Sequence, residues 1–194
     1  MHDTIVQALD DGIRLRQQCR ETLTGPLIQA AQYMSESLQR GGKILACGNG
    51  GSAADAQHFA GELVNRFERE RPGLAAVALT HDASVITSIA NDYAFDDIFS
   101  RQVQALGRPG DVLLAISTSG NSRNVVAAAE VAAALGMHTI ALTGRDGGEL
   151  GRMTKISAHL NIPHDSTPRI QEMHITCLHL ICTLIDDALY GDKP

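Results

Sequence analysis

Tryptophan is missing from this sequence, and phenylalanine and tyrosine bring the aromatic share only to 4%. No apolar run reaches the roughly 18 residues that a membrane-crossing helix needs, so none is expected. The sequence opens with no charged stretch leading into an apolar run, so no secretory leader is expected either. Its four cysteines, Cys19, Cys47, Cys177 and Cys182, form no CxxC pair. Together these absences point to buried free thiols in a cytoplasmic protein. A basic excess is also lacking: 16 Lys and Arg against 22 Asp and Glu give a net charge of −6 and a pI near 5.7. Nonspecific nucleic-acid binding depends on a basic face, so no direct nucleic-acid partner is expected. No GxxxxGKS or GxxxxGKT loop occurs, which leaves a nucleotide-hydrolysing P-loop unsupported. No internal repeat, low-complexity tract or long linker divides residues 1–194, so one domain is expected. What remains is 44% hydrophobic and 20% charged. That is the composition of a soluble globular chain long enough to bury a core.

Apolar spacing in the first forty residues is helical, through Ile5, Leu9, Ile13 and Leu15 and again through Leu27, Ala30, Met34 and Leu38. Thr24-Gly25-Pro26 falls between the two sets and predicts a break between two helices, with Pro26 in a first turn. The pattern then changes. KILAC (Lys43–Cys47), AAVAL (Ala75–Leu79), VLLAI (Val112–Ile116) and TIALT (Thr139–Thr143) are short apolar runs rich in branched residues. SAHLNI (Ser157–Ile162) is a weaker fifth. The first four are each followed by a polar or glycine-rich turn and then by helical spacing. Continuous hydrophobicity marks strands buried on both faces, as in a parallel sheet. The expected fold is α/β: a three-layer sandwich with a central five-stranded parallel sheet flanked by helices, plus N-terminal helices. RFERERPG (Arg66–Gly73) reads as a charged helix end and turn, and a long helix over about Pro168–Leu189 closes the chain.

Ligands of open α/β sheets bind at the carboxyl ends of strands, and two loops fall there. Gly48-Asn49-Gly50-Gly51-Ser52 follows the first strand. Its glycines let backbone N–H groups approach an anion at a helix N-terminus. Gly48, Gly50 and Ala53 also fit the loose dinucleotide pattern GxGxxA. The acidic residue that should close the second strand is displaced to Thr80-His81-Asp82, however, so a nicotinamide or flavin site is not expected. The second loop, Ser117-Thr118-Ser119-Gly120-Asn121-Ser122, packs four hydroxyls and a glycine into a strand-to-helix turn. Helix capping needs only one such hydroxyl, and the surplus points to a phosphate cup.

Among the remaining polar residues, His58 and Glu62 share a helix face at i, i+4. Gln171 and His179 lie on one side of the last helix, about 80° apart. Each pair fits a surface or structural role as well as a metal site, and the spacing is not HExxH. Asn91-Asp92 falls after a short predicted helix and reads equally as a turn. Arg66 and Arg169 read as anion-neutralising or as surface arginines, and His174 as packed or exposed on its helix.

The motifs GNGGSA and STSGNS, one strand–helix–strand apart, resemble the sugar isomerase (SIS) domain family. DAQHFAGEL, ERPGLAAVALT, IANDYAFDDIFSRQV, GDVLLAISTSGNS, ALTGRDGG and RIQEMH extend the resemblance, over nearly the whole chain, to the phosphoheptose isomerases within it. The resemblance implies an aldose–ketose isomerase that converts D-sedoheptulose 7-phosphate to D-glycero-D-manno-heptose 7-phosphate for bacterial lipopolysaccharide. It implies a zinc ion in each subunit, gathered by His58, Glu62, Gln171 and His179, with Glu62 and His179 as the catalytic pair. The substrate would meet Asn49, Gly50, Gly51 and Ser52 at the sugar and Ser117, Thr118, Ser119 and Ser122 at the phosphate. Glu62, Asn91, Asp92 and Gln171 would complete its contacts. Pro168 stands where some members carry an acidic residue, so no role of that carboxylate transfers. Family members are homotetramers with active sites between subunits. A class of relatives instead binds the bacterial replication initiator without isomerase activity; it keeps the two loops but loses the Glu and the last His. Glu62 and His179 are both present here and favour the enzyme.

Overall fold

The computed structural model describes residues 1–191. Helix α1 spans His2–Gln39, and strand β1 (Ile44–Cys47) leads into α2 (Gly51–Val64). Strand β2 (Ala76–Ala78) is followed by α3 (Ala83–Asp92), a 3₁₀ turn at Phe95–Asp97 and α4 (Ser100–Leu106). Strand β3 (Val112–Ser117), α5 (Arg123–Ala134), β4 (His138–Gly144) and α6 (Gly148–Arg152) come next. The described chain ends with β5 (Ala158–Ile162) and α7 (Thr167–Tyr190). The five strands form one parallel sheet in the order β2-β1-β3-β4-β5.

The apolar runs divide residue by residue between the two faces, because successive side chains of a strand point opposite ways. Ile44, Ala46, Val112, Leu114 and Ile116 face a core shared with α1, α2 and α7. Leu45, Cys47, Leu113 and Ala115 face the other core, under α3, α4, α5 and α6. This is the expected three-layer sandwich. All four cysteines are buried and unpaired. At the amino ends of the strands, Asp111 accepts from Lys43 N at 2.9 Å, from Lys43 Nζ at 2.6 Å and from Arg108 N at 2.9 Å, which fixes β1 against β3.

The structure departs from expectation at three places. The first forty residues are one helix, with Pro26 inside it. Leu15, Cys19, Leu23, Leu27, Ala30 and Met34 are buried as one unbroken stripe against α7 and the sheet. That packing outweighs the hydrogen bond lost at Pro26. RFERERPG is not a helix end: α2 stops at Val64, and Arg71 turns inward to a buried ion pair. Asn91 and Asp92 lie in the last turn of α3 rather than after it.

Candidate active site

Strand order places the ligand crevice. From β1 the chain moves outward to β2, and from β3 it moves the other way to β4, so the connections diverge between β1 and β3. The two candidate loops leave the carboxyl ends of those two strands and face this switch point. A reciprocal amide pair joins them. Asn49 Nδ2 donates to Asn124 Oδ1 at 2.8 Å, and Asn124 Nδ2 donates back to Asn49 Oδ1 at 2.9 Å. Asn124 is fully buried. Each amide keeps only one N–H and one lone pair for other partners.

In the serine-rich turn, Ser122 occupies the N-cap position of α5, yet its side chain makes no capping bond. Its hydroxyl instead meets Ser117 Oγ at 2.9 Å. Thr118 and Ser119 are half-buried, and the Thr118 hydroxyl has no hydrogen-bond partner among the described residues. The hydroxyls are therefore not absorbed by capping, and the turn keeps donors for an anion at the start of a helix. Ser52, by contrast, is buried in the first turn of α2.

Helices α2 and α7 pack side by side in one layer, and this contact brings three side chains of the candidate site together. His58 Nε2 lies 3.0 Å from His179 Nε2 and 3.1 Å from Glu62 Oε1. The three donor atoms of His58, Glu62 and His179 all fall within 4.8 Å of one another. A single proton on His58 Nε2 cannot satisfy both the facing imidazole nitrogen and the carboxylate. A cation held by all three resolves the conflict, and two imidazoles with a carboxylate are a donor set suited to zinc. Glu62 is partly shielded, at 26% side-chain exposure, and His58 is open to solvent at 46%. The Phe67 ring packs 5.7 Å from that of His179.

Gln171 is brought to the same place. Its amide rests on the Cα of Gly51, where any side chain would overlap it, so the glycine permits the approach of α7. Gln171, His58, Asp55 and Pro168 line one open cavity of about 460 Å³. Asp55 Oδ2 is buried without a partner, and burial pushes its carboxyl up to about 6 against the opposing pull of His58. Asn91 and Asp92 are exposed. They bond to each other at 2.8 Å and make no hydrogen bond to the cluster.

The SIS domain family model matches residues 9–144. The phosphoheptose isomerase of Methylibium petroleiphilum is 56% identical over 184 residues, covering 94% of this chain and 92% of that protein. The phosphoheptose isomerase of Neisseria gonorrhoeae is 54% identical over 190 residues, covering 97% of this chain and 96% of that protein. The solved structure of a phosphoheptose isomerase from Francisella tularensis superposes with a TM-score of 0.91 at 43% identity, covering 95% of this chain and 97% of that one. The chain belongs to the phosphoheptose isomerase family of SIS-domain proteins. It is accordingly a sugar-phosphate isomerase, and a role as a mere binding scaffold is not favoured.

Within this isomerase the structure also shows supporting residues that the sequence reading missed. Arg71 Nε donates to Asp186 at 2.6 Å, and its two terminal nitrogens donate to the carbonyls of Leu63 and Glu62, each at 2.9 Å. One buried guanidinium thus closes the carboxyl end of α2, next to Glu62, and ties it to α7. Asn124 ties the loops in the same manner. In sequence, Arg71 is one charge in a charged run and Asn124 one residue of an ordinary helix. Neither carries a local pattern that announces its partner.

Proposed function

We propose that the chain converts D-sedoheptulose 7-phosphate to D-glycero-D-manno-heptose 7-phosphate through an enediol, in the supply of heptose for bacterial lipopolysaccharide. It would act as a single-domain subunit of a cytoplasmic homotetramer. The observation that carries the mechanism is the convergence of His58, Glu62 and His179 beside two loops at the sheet's switch point. The substrate phosphate sits in the Ser117–Ser122 turn, with Ser117, Thr118, Ser119 and Ser122 as its contacts. Asn49, Gly50, Gly51 and Ser52 face the sugar, and Asn91, Asp92 and Gln171 complete the substrate contacts.

The isomerisation is redox-neutral: a proton leaves C1, the electron pair forms the C1–C2 double bond, and the carbonyl oxygen at C2 takes a proton. Collapse of the enediol then returns a proton to C2 and removes one from the oxygen on C1. Glu62 carries the proton between carbons. Its Oε1 is turned to His58, which leaves Oε2 for this transfer. His179 exchanges protons at the two oxygens and in ring opening through Nε2. His58, Glu62, Gln171 and His179 would hold one zinc ion per subunit, whose charge steadies developing negative charge on the oxygens.

The test is to incubate the purified protein with sedoheptulose 7-phosphate and follow the aldose by NMR, with zinc and with a chelator. Aldose forms with zinc and not after chelation. Glu62→Gln lowers kcat by about 10²–10⁴-fold, the range of a lost general base. Turnover near wild type in that variant, at saturating zinc, would remove Glu62 from the proposed role.

A further inference from the structure

The serine-rich turn is braced from outside by the loop after β4, and we infer that Asn121 is the positioning residue that holds its shape. This rests on the reading of Ser117–Ser122 as the phosphate site. Asn121 is exposed, and its polar groups are turned to the protein. Its backbone N–H donates to Ser119 Oγ at 3.1 Å, and Nδ2 donates to the Ser119 carbonyl at 3.0 Å. Its Oδ1 accepts from Glu149 N at 2.9 Å, at the start of α6. Beside it, Leu150 N donates to the Gly120 carbonyl at 2.8 Å. One side chain therefore fastens Ser119 to a separate element.

The backbone of the two loops has been brought too close for side chains at the crossing. Gly120 and Gly148 have φ of 65° and 58°, and a Cβ at either would strike the other loop, at the Gly147 or Ser119 carbonyl. The bracing loop is itself closed, with Gly147 N on the Gly144 carbonyl at 2.9 Å and Gly148 N on Asp146 Oδ1 at 3.2 Å. Its backbone is thus a fixed support for Asn121. Hydroxyl and amide donors bind an anion more tightly when their geometry is set in advance, because less ordering is left to the binding step.

Asn121 touches no reacting atom in this reading, and Glu62 and His179 stand on other elements. Its removal should therefore weaken phosphate recognition and spare the chemical step. Asn121→Ala is expected to raise KM for sedoheptulose 7-phosphate, and the inhibition constant of inorganic phosphate, by about tenfold, the effect of one or two lost hydrogen bonds. Its kcat should stay within about threefold. Gly148→Ala, which intrudes on Ser119 and Asn121 from the other loop, should give the same split, and Asn121→Ser, which shortens the side chain and adds no clash, serves if Asn121→Ala does not fold. Thr118→Val and Ser117→Ala test the cup itself. If these two raise both constants while Asn121→Ala and Gly148→Ala leave them unchanged, the brace is overturned and the cup stands. If all four leave both constants unchanged, the cup and the brace fall together. A loss of melting temperature with KM and phosphate inhibition unaltered would also overturn the assignment.

Discussion

His174 illustrates how much one residue's surroundings decide. It is buried beneath the site on α7, with Nε2 donating to the Thr143 carbonyl at 3.0 Å and Nδ1 left without a partner. Burial pulls its pKa down to about 4, although the carbonyl bond works against the fall. The unfolded chain, with an ordinary histidine near 6.5, therefore binds the extra proton first as pH drops. The folded state keeps its full stability above about pH 6.5 and loses it progressively toward pH 4. Urea unfolding should show wild type losing about 2 kcal/mol more than His174→Gln between pH 7.5 and 5. Equal losses in both would remove His174 as the cause. The same residue shows where sequence reading stopped, because helical spacing alone left packed and exposed positions equally open. His58 and Glu62 were legible as sharing a face, since four residues make about one turn. That His179 meets them depends on the packing of α2 against α7, which no local spacing contains; the family resemblance supplied it.

At the scale of elements, strands were the most readable part. The apolar runs of β1, β3 and β4 are continuous because both faces are buried, whereas the edge strand β5 alternates, and each of the five observed strands overlaps its run. The long α1 departs from its local sequence pattern for a physical reason. Gly25-Pro26 is a strong local breaker, but the buried stripe through Cys19, Leu23 and Leu27 crosses it without a gap. Tertiary contact outweighed local propensity. Arg71 and Asp186 are illegible for the opposite reason: charged residues are rarely buried, so RFERERPG reads as no more than a charged helix end and turn. Their pairing makes a clear prediction. Arg71→Met leaves the Asp186 carboxylate buried alone and strips the end of α2, and should cost about 3–5 kcal/mol in urea unfolding. Adding Asp186→Leu should recover much of that loss, since the uncompensated charge is then gone. No recovery in the double variant would mean that the bonds to Glu62 and Leu63 carry most of the stability.

For the whole molecule, the first turns of α1 present apolar side chains to solvent. Ile5, Val6, Leu9 and Ile13 are 62%, 42%, 63% and 54% exposed on this single chain. Such an apolar stretch on a helix needs cover, and copies of the same chain would provide it in the proposed tetramer. Ile5→Asp with Leu9→Asp should shift the protein to smaller species in light scattering after size exclusion, with activity falling alongside. A tetramer that persists would place the contacts elsewhere. The amide pair between the two loops carries a different consequence, for how the molecule ages. Asn49 is followed by Gly50, and an Asn–Gly step is open to attack of the glycine nitrogen on the side-chain amide, which ends in deamidation. The bonds to Asn124 at 2.8 and 2.9 Å hold that amide in place and restrain the attack. Conversion of Asn49 to aspartate would set a carboxylate oxygen against Oδ1 of the buried Asn124, acceptor against acceptor. The strut that aligns the two loops thus also guards the one Asn–Gly step in the sequence.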